Sequence, residues 1–353
     1  MASSAGKAGA ALPHRTKLLL SASYMLGHFC VGMTFGLKGP ALLAMAAQLE
    51  RAAGTDPADD AAHDAALTAV GVGNGAASFG LMLGSLAGGQ VVDRLQHWHR
   101  WYAGAWLCMG LAFSGFALFT TPAQLALCSA LHGACIGSMA PCWNLGTMRT
   151  WGEGCGPYMQ ALHAAFGVGM FSAPIAVGFE LSATGSFHAT TFALVLLVCG
   201  LSAIPLCLPT PQTPATPSAK SDDDPDEQGR LLGGDETESD ASVYAGEDKA
   251  ADRARLRAER TLLVAVFSFI FLYCIAELSI GTWVPAYATI RGLTTPTEAA
   301  ALGSWFWLCF TVGRISGICV SRWLSSIRMI AADLGLLLAA VVSSLPPLGC
   351  LCL

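Results

Sequence analysis

The sequence predicts an all-α protein that crosses a lipid bilayer several times. Of its 353 residues, 54% are hydrophobic and only 12% are charged, which is about half the charged fraction of an ordinary soluble domain. Nine apolar runs are long enough to cross a hydrocarbon layer of roughly 30 Å as helices. They cover residues 18–40, 67–92, 101–120, 122–147, 158–180, 188–208, 261–289, 299–320 and 329–351.

The placement of basic residues orients these helices. If the amino terminus is cytoplasmic, fifteen lysines and arginines lie in segments on the inner side, and only Arg51 and Arg291 lie in outer loops. Such a bias is typical of multi-pass membrane proteins. Twelve of the thirteen cysteines lie within or at the ends of apolar runs, so we expect small core residues and no disulfide framework.

The chain divides by composition into four segments. We expect a cytoplasmic tail at 1–16, a half of six helices at 17–208, a disordered cytoplasmic linker at 209–260, and a partial second half of about three helices at 261–353. The linker is rich in proline and acidic residues, which cannot form a core. Two related six-helix halves joined by a polar linker are a common transporter plan, so the sequence suggests a truncated or unusually short chain.

A short phrase in the linker has two interpretations. Glu227 is followed, four residues later, by Leu231 and Leu232, and this spacing resembles a signal that sorting adaptors read on the way to endosomes and lysosomes. A plain solvated linker is the alternative. We expect the plasma membrane as the location, with the endosomal or lysosomal membrane as the second choice.

The stretch Gly80–Arg94 combines small residues with a charged end. Glycines at 80, 84 and 88 fall on one helix face and would let a second helix approach closely in lipid. The pattern of Gly80, eight residues, then Gly89-x-x-x-Asp93-Arg94 resembles the signature between helices 2 and 3 of the major facilitator superfamily. The resemblance implies that Gly89, Asp93 and Arg94 stabilise one state of an alternating-access cycle. An ordinary tight helix pair with a charged end is the alternative.

A second resemblance covers several later phrases. They are Asn144 with Trp151-Gly152, Pro157-Tyr-Met-Gln160-Ala-Leu-His163-Ala-Ala-Phe166, Ala276-Glu277-Leu-Ser-Ile-Gly281-Thr-Trp283, and Gly313-Arg314. Together they resemble the sodium-dependent glucose transporter-like branch of the superfamily, which is related to the fucose permease group. That branch commonly has an acidic residue four positions before the helix-4 asparagine. Ala140 stands there in this chain, which leaves sodium coupling open.

Asn144, Gln160 and His163 are candidate substrate ligands on physical grounds as well. Gln160 and His163 share a helix face, and a short loop joins their helix to that of Asn144, so the three side chains are expected at similar depth. Amides and imidazoles both donate and accept hydrogen bonds, which suits hydroxyl groups. Interhelical hydrogen bonding is the alternative for all three, and it is the preferred interpretation for His28 and Asn74.

Four more residues have a candidate role. Glu277 is a carboxylate deep in an apolar run, where ionisable groups usually face a cavity or a partner, so it is a candidate proton or cation site. Arg314 is expected to act as an inner-gate or structural charge. Trp283 would stack on a sugar or lie at the membrane interface, whereas Lys38 is expected to extend towards the outer surface.

The sequence therefore predicts a secondary transporter of a small solute, and the resemblance implies a hexose or related sugar, moved alone or with Na+ or H+. The alternatives are transport of another small metabolite and a transport-inactive scaffold or sensor. No nucleophile motif, metal spacing or phosphate-binding loop is present, so neither an enzyme nor an ATP-driven pump is expected. We expect no cofactor, no metal and no nucleic-acid partner.

Overall fold

The computed structural model describes residues 12–56, 58–212, 238–320 and 323–344. Within these ranges the chain forms ten α-helices and no β-strand. The helices are α1 (His14–Gly36), α2 (Lys38–Ala53), α3 (Asp60–Arg94), α4 (Trp98–Leu118), α5 (Pro122–Trp151), α6 (Gly156–Thr184), α7 (His188–Leu201), α8 (Glu238–Ile290), α9 (Pro296–Val320) and α10 (Ser326–Ser344). The all-α prediction is confirmed.

Seven helical segments of the described chain are long and apolar enough to cross a membrane. One of them, Pro122–Thr184, contains both α5 and α6, which a turn at Gly152 separates into two passages. At that turn Gly152 has φ of 57°, a left-handed conformation that side chains disfavour. The predicted span 329–351 overlaps α10, and its last residues, 345–351, lie outside the described residues.

The chain forms two compact units. The first comprises Met1–Gln212 with Thr282–Leu353, and the second comprises Thr213–Gly281. The first unit contains two clusters of buried apolar side chains, one around Leu42, Phe113 and Phe116 and the other around Tyr24 and Trp106. Both clusters join residues of α1 or α2 to residues of α4.

Glycine allows α3 and α5 to touch backbone to backbone. A Cβ atom added at Gly80, Gly84 or Gly88 would overlap a carbonyl oxygen of α5, and those oxygens belong to Ala130, Ala134 and Ser138 in turn. Because the residue numbers increase in the same direction along both helices, α3 and α5 run parallel. The close approach that the glycine spacing predicts is therefore present, whereas Gly89 has no neighbouring atom within 4 Å of the added position.

Helices α1 and α6 form a second parallel pair of the same kind. Added Cβ atoms at Gly32 and Gly36 would meet the backbone of Phe166 and Met170. In return, Gly169 of α6 faces the carbonyl oxygen of Phe29. The two helix axes are thus held at the short distance that small residues permit.

The first predicted span, 18–40, is not one uniform helix. Helix α1 ends at Gly36 and α2 begins at Lys38, while Leu37 between them keeps α-helical dihedral angles. Pro40 has no amide hydrogen for the bond to Gly36, which accounts for the break. The two helices together make one long, interrupted passage that ends at Ala53.

Helix α8 begins earlier than the sequence suggested. The linker was expected to be disordered over 209–260, but residues 238–260 are helical. Alanine, arginine, glutamate and lysine dominate this stretch and are strong helix formers. Arg255 and Glu259 also form an i,i+4 ion pair at 3.1 Å. The expected sorting phrase at Glu227, Leu231 and Leu232 lies outside the described residues.

The contact between α3 and α5 can be tested by adding a single methyl group. We expect Gly84→Ala to lower the free energy of unfolding by about 2 kcal/mol, because the new methyl overlaps backbone that cannot rotate away. Thermal unfolding in detergent measures the change. The matched control is Gly75→Ala in the same helix, where no atom lies within 4 Å. Equal unfolding temperatures for the two variants would contradict the packing.

Candidate functional site

A polar cluster lies where α1, α5, α6 and α9 meet, and His28 of α1 is at its centre. This side chain is 7% exposed, and its Nδ1 lies 3.0 Å from the carbonyl oxygen of Leu162. A carbonyl can only accept, so Nδ1 carries the hydrogen and Nε2 of the neutral ring is an acceptor. The hydrogen bond to the bundle that we expected for His28 is confirmed.

His163 lies against this first histidine. The ring centroids of His28 and His163 are 5.2 Å apart in an edge-on arrangement. Trp143 of α5 stacks on the ring of His28, with the ring centroids 4.7 Å apart. Because Asn144 follows Trp143 in α5, residues of α5 and α6 approach His28 at the same level, as the short connecting loop predicts.

The other two predicted ligands are near this level but make different contacts. Asn144 has a buried Oδ1 with no hydrogen-bond partner among the described residues. Gln160, one turn before His163, points towards α9, where its amide would lie 3.9 Å from a Cβ added at Gly317. Both side chains are partly buried. Asn144 thus offers a buried acceptor that a ligand or a water molecule can satisfy.

Aromatic rings extend the cluster towards α9. Phe166 contacts His28 at 5.1 Å and Trp307 at 5.9 Å. Trp307 is 1% exposed and packs on Phe310 at 5.4 Å. Arg314 follows, with its guanidinium carbon 4.9 Å from the centre of the Phe310 ring. The guanidinium is also within electrostatic range of both histidines.

The depth of this cluster fits a site near the middle of the membrane. His28 lies eleven residues after Lys17, which is about 16 Å along a helix. A hydrocarbon layer is roughly 30 Å thick. The cluster therefore lies in the interior of the membrane. Polar side chains are costly at that depth unless they bond to each other or to a ligand.

Two further candidate residues, Glu277 and Trp283, lie on α8. Trp283 is 43% exposed, and its ring lies 3.7 Å from a Cβ added at Gly71 of α3, so it lies against α3. Glu277 belongs to the second compact unit, on α8, where its side chain is partly buried.

The inner end of α3 makes a charge pair with α5. Asp93 Oδ1 lies 3.6 Å from Nη2 of Arg149, and Nη1 of the same guanidinium donates to the carbonyl of Val92 at 3.3 Å. Asp93 is largely exposed, whereas Arg149 is largely buried. Arg94 is exposed. The geometry thus gives Asp93 and Arg149, rather than Asp93 and Arg94, as the pair that connects two helix ends.

Two ionisable residues in the outer half of the unit were missed or misplaced by sequence reasoning. Lys38 does not extend to the surface: it is 4% exposed, with Nζ 5.0 Å from the ring centre of Phe35 and 4.9 Å from that of Phe116. His132 is fully buried near the same two rings, and neither ring nitrogen has a partner among the described residues. For both residues, the sequence signal that could have indicated a buried position is a basic side chain within an apolar run.

Comparison with known proteins identifies the family. Residues 24–352 match the Major Facilitator Superfamily. The chain belongs to this family of membrane transporters and is a multi-pass membrane protein.

Two curated relatives show the same branch that the sequence phrases resemble. The chain is 24% identical to sodium-dependent glucose transporter 1 of Homo sapiens over 270 residues, which are 67% of this chain and 46% of the human protein. It is also 24% identical to sodium-dependent glucose transporter 1A of Mus musculus over 308 residues, which are 85% of this chain and 68% of the mouse protein. The chain spans about half the length of the human relative it matches.

The environment of Lys38 leads to a stability prediction. Within the described residues, no carboxylate forms an ion pair with this lysine. A buried charge costs several kcal/mol, which exceeds the roughly 1–2 kcal/mol that contact with aromatic rings returns. We expect Lys38→Met, which keeps the volume, to raise the free energy of unfolding by about 1 kcal/mol.

Thermal unfolding in detergent measures this effect, with Lys38→Arg as the control that keeps the charge. We expect the Arg variant to be no more stable than the parent. A Met variant that unfolds at a lower temperature than the parent would contradict the prediction.

Proposed function

We propose that this chain is a secondary transporter that moves a hexose or a related sugar by alternating access. The observation that carries the proposal is the contact of His28 with His163, Trp143 and Phe166, with Gln160 one helical turn before His163. It combines hydrogen-bonding groups with flat apolar rings in one place. Sites for small polar ligands usually have this composition, with a few polar groups that fix the orientation.

The chemistry of a sugar matches these groups. Each hydroxyl both donates and accepts, and the site offers an acceptor at His28 Nε2 and amide groups at Asn144 and Gln160. The CH groups of a sugar ring form an apolar face that aromatic rings can cover. His163 completes the proposed ligand set. For Trp283 the support is the resemblance of its sequence phrase to the glucose transporter branch.

The names of the relatives agree with this substrate class, since both are sodium-dependent glucose transporters. We propose the same plan of two related halves, with 17–208 as the first, 261–353 as part of the second, and 209–260 as the cytoplasmic connection. Transport would then proceed by rocking of the halves around a site near the midplane. Family membership favours a transporter over an enzyme.

We propose Glu277 as the ion-coupling residue. An intramembrane carboxylate can exchange a proton or bind a cation at a cost that only function offsets. Ala140 stands where the branch commonly has an acid, which favours H+ over Na+. We propose that Gly89, Asp93, Arg94 and Arg314 act in conformational exchange and not in binding the substrate.

The destination of the protein is also a proposal. The phrase around Glu227 and Leu231-Leu232 would bind a sorting adaptor and direct part of the protein to endosomes or lysosomes, with the remainder in the plasma membrane. A double Leu231→Ala and Leu232→Ala variant that leaves the distribution between these membranes unchanged would remove the support for this adaptor.

Sugar transport is tested by uptake of radiolabelled glucose and fucose into liposomes that contain the purified protein. We expect uptake that a proton or sodium gradient increases. His163→Ala should reduce the initial rate at low sugar concentration by about tenfold, because losing a hydrogen bond to the ligand costs about 1.4 kcal/mol. Glu277→Gln should abolish the effect of the gradient. Ser172→Ala, on the same helix, where the hydroxyl donates to the Val168 carbonyl of its own helix, is the matched control.

The outcomes separate the parts of this proposal. Absence of uptake of either sugar by a correctly folded protein would overturn the sugar assignment. Uptake with equal gradient dependence in the parent and in Glu277→Gln would overturn the coupling role alone.

The ion pair at the inner end of α3 gives a kinetic prediction. We expect Asp93→Asn to lower the maximal transport rate several-fold with less than a twofold change in the half-saturating sugar concentration. The pair lies at the helix ends, and neither side chain belongs to the proposed ligand set. Arg149→Gln should have the same effect. Concentration-dependent initial rates in liposomes measure both quantities, and a normal maximal rate in the folded variants would refute the gating role.

A further inference from the structure

The segment Leu208–Gln212, which follows α7, is tied by three hydrogen bonds to the first turn of α4 and to the loop before it. Nδ1 of His99 donates to the carbonyl of Leu208 at 3.2 Å, and Nε1 of Trp98 donates to the carbonyl of Pro211 at 3.4 Å. Nε2 of Gln212 donates to the carbonyl of Gln96 at 2.9 Å. We call this segment the latch.

The latch is also connected to α1. Because His99 Nδ1 carries the hydrogen for the Leu208 carbonyl, Nε2 of its neutral ring accepts from the hydroxyl of Tyr24 at 2.8 Å. Tyr24 and His99 are 0% and 3% exposed. A buried chain of hydrogen bonds thus joins the inner ends of α1 and α4 to the start of the linker.

A cavity of about 580 Å³ lies between the latch and the beginning of α4. Its polar lining comes from His97, His99 and Arg100 on one side and from Thr210 and Gln212 on the other. Among the described residues that line it, none is acidic. Arg100 and His97 are exposed, so both can turn towards an anion. The cavity therefore has the size and charge for a phosphate group, which needs far less than this volume.

Thr210 is the hydroxyl residue that faces these basic groups. It is partly exposed and is followed by Pro211, which is the local sequence that proline-directed protein kinases modify. The distribution of basic residues places this segment on the cytoplasmic side, where nucleoside triphosphates and kinases are present. We propose that Thr210 is a phosphorylation site, and that its phosphate occupies the cavity and pairs with Arg100 and His97.

The chemical step transfers the γ-phosphoryl group of a nucleoside triphosphate to Thr210 Oγ1. The bond between the γ-phosphorus and the bridging oxygen breaks, an Oγ1–P bond forms, and the hydroxyl proton leaves to the kinase, with the diphosphate as the leaving group. The product adds a charge of about −1.5 to −2 and three acceptor oxygens. Arg100 and His97 provide the donors that such a group requires.

The consequence is a tighter latch. Pro211 is buried, so the kinase acts on the released segment, and the phosphate favours its return by adding ionic hydrogen bonds to those already present. Phosphorylation therefore strengthens the attachment of the linker to the inner ends of α1 and α4. This proposal concerns a surface away from the His28 cluster and does not depend on which solute the protein transports.

The test uses the full chain in detergent and a purified proline-directed kinase with ATP and Mg²⁺. Thr213 and Thr216 also precede prolines, so both are replaced by alanine in every variant, and peptide mass spectrometry determines the phosphate at Thr210. Thermal unfolding is then compared with and without kinase treatment. Adding Thr210→Ala provides the control for phosphate at any other position, and adding Arg100→Gln removes the proposed partner.

We expect the phosphorylated protein to unfold about 3 °C higher than the untreated protein, as one ionic hydrogen bond to a charged group predicts for a unit of this size. The rise should be absent with Thr210→Ala and reduced by more than half with Arg100→Gln, while Arg100→Lys should keep part of it. Failure to phosphorylate Thr210 would overturn the proposal. A phosphorylated Thr210 with the same shift in the parent and in Arg100→Gln would overturn the cavity as its binding place.

Discussion

Direct contact between the backbones of parallel helices determines where the polar groups of this protein meet. Glycines of α1 lie against the backbone of α6, and glycines of α3 lie against α5. In lipid there is no hydrophobic force between helices, so close packing of small residues has to supply the association energy. The short distance between α1 and α6 brings His28 within hydrogen-bond reach of Leu162. A side chain at Gly32 would push these helices apart and break the contact between His28 and His163.

Much of this arrangement could be predicted from local patterns. The apolar runs predicted the helices. The glycine spacing in α3 predicted a closely packed neighbouring helix, but not that this helix is α5. Asn144, Gln160 and His163 were predicted at one level because a short loop joins their helices, and Trp143 of α5 and His163 of α6 both contact the ring of His28. Such deductions are possible because helix periodicity and loop length limit the distances involved.

What could not be predicted depends on contacts between distant segments. Lys38 was expected at the surface because a long basic side chain can usually reach water, but the rings of Phe35 and Phe116 enclose it. Phe116 is distant from Lys38 in the sequence, so local patterns could not predict this contact. Likewise, the pairing of Asp93 with Arg149 joins two helix ends 56 positions apart, and the sequence motif does not include Arg149. The roles of all these residues in transport stay predictions.

The parallel pairing of α1 with α6 also has a consequence for biosynthesis. His28 contacts Leu162 across 134 positions of sequence, and ribosomes add about 5–20 residues per second. Helix α1 therefore waits on the order of ten seconds in the membrane before its partner has been made. During that interval the glycine face of α1 is open, and lipid or an insertion chaperone must cover it. The pairing of α1 with α6 can therefore form only after α6 has emerged, whereas α3 and α5 can pair earlier.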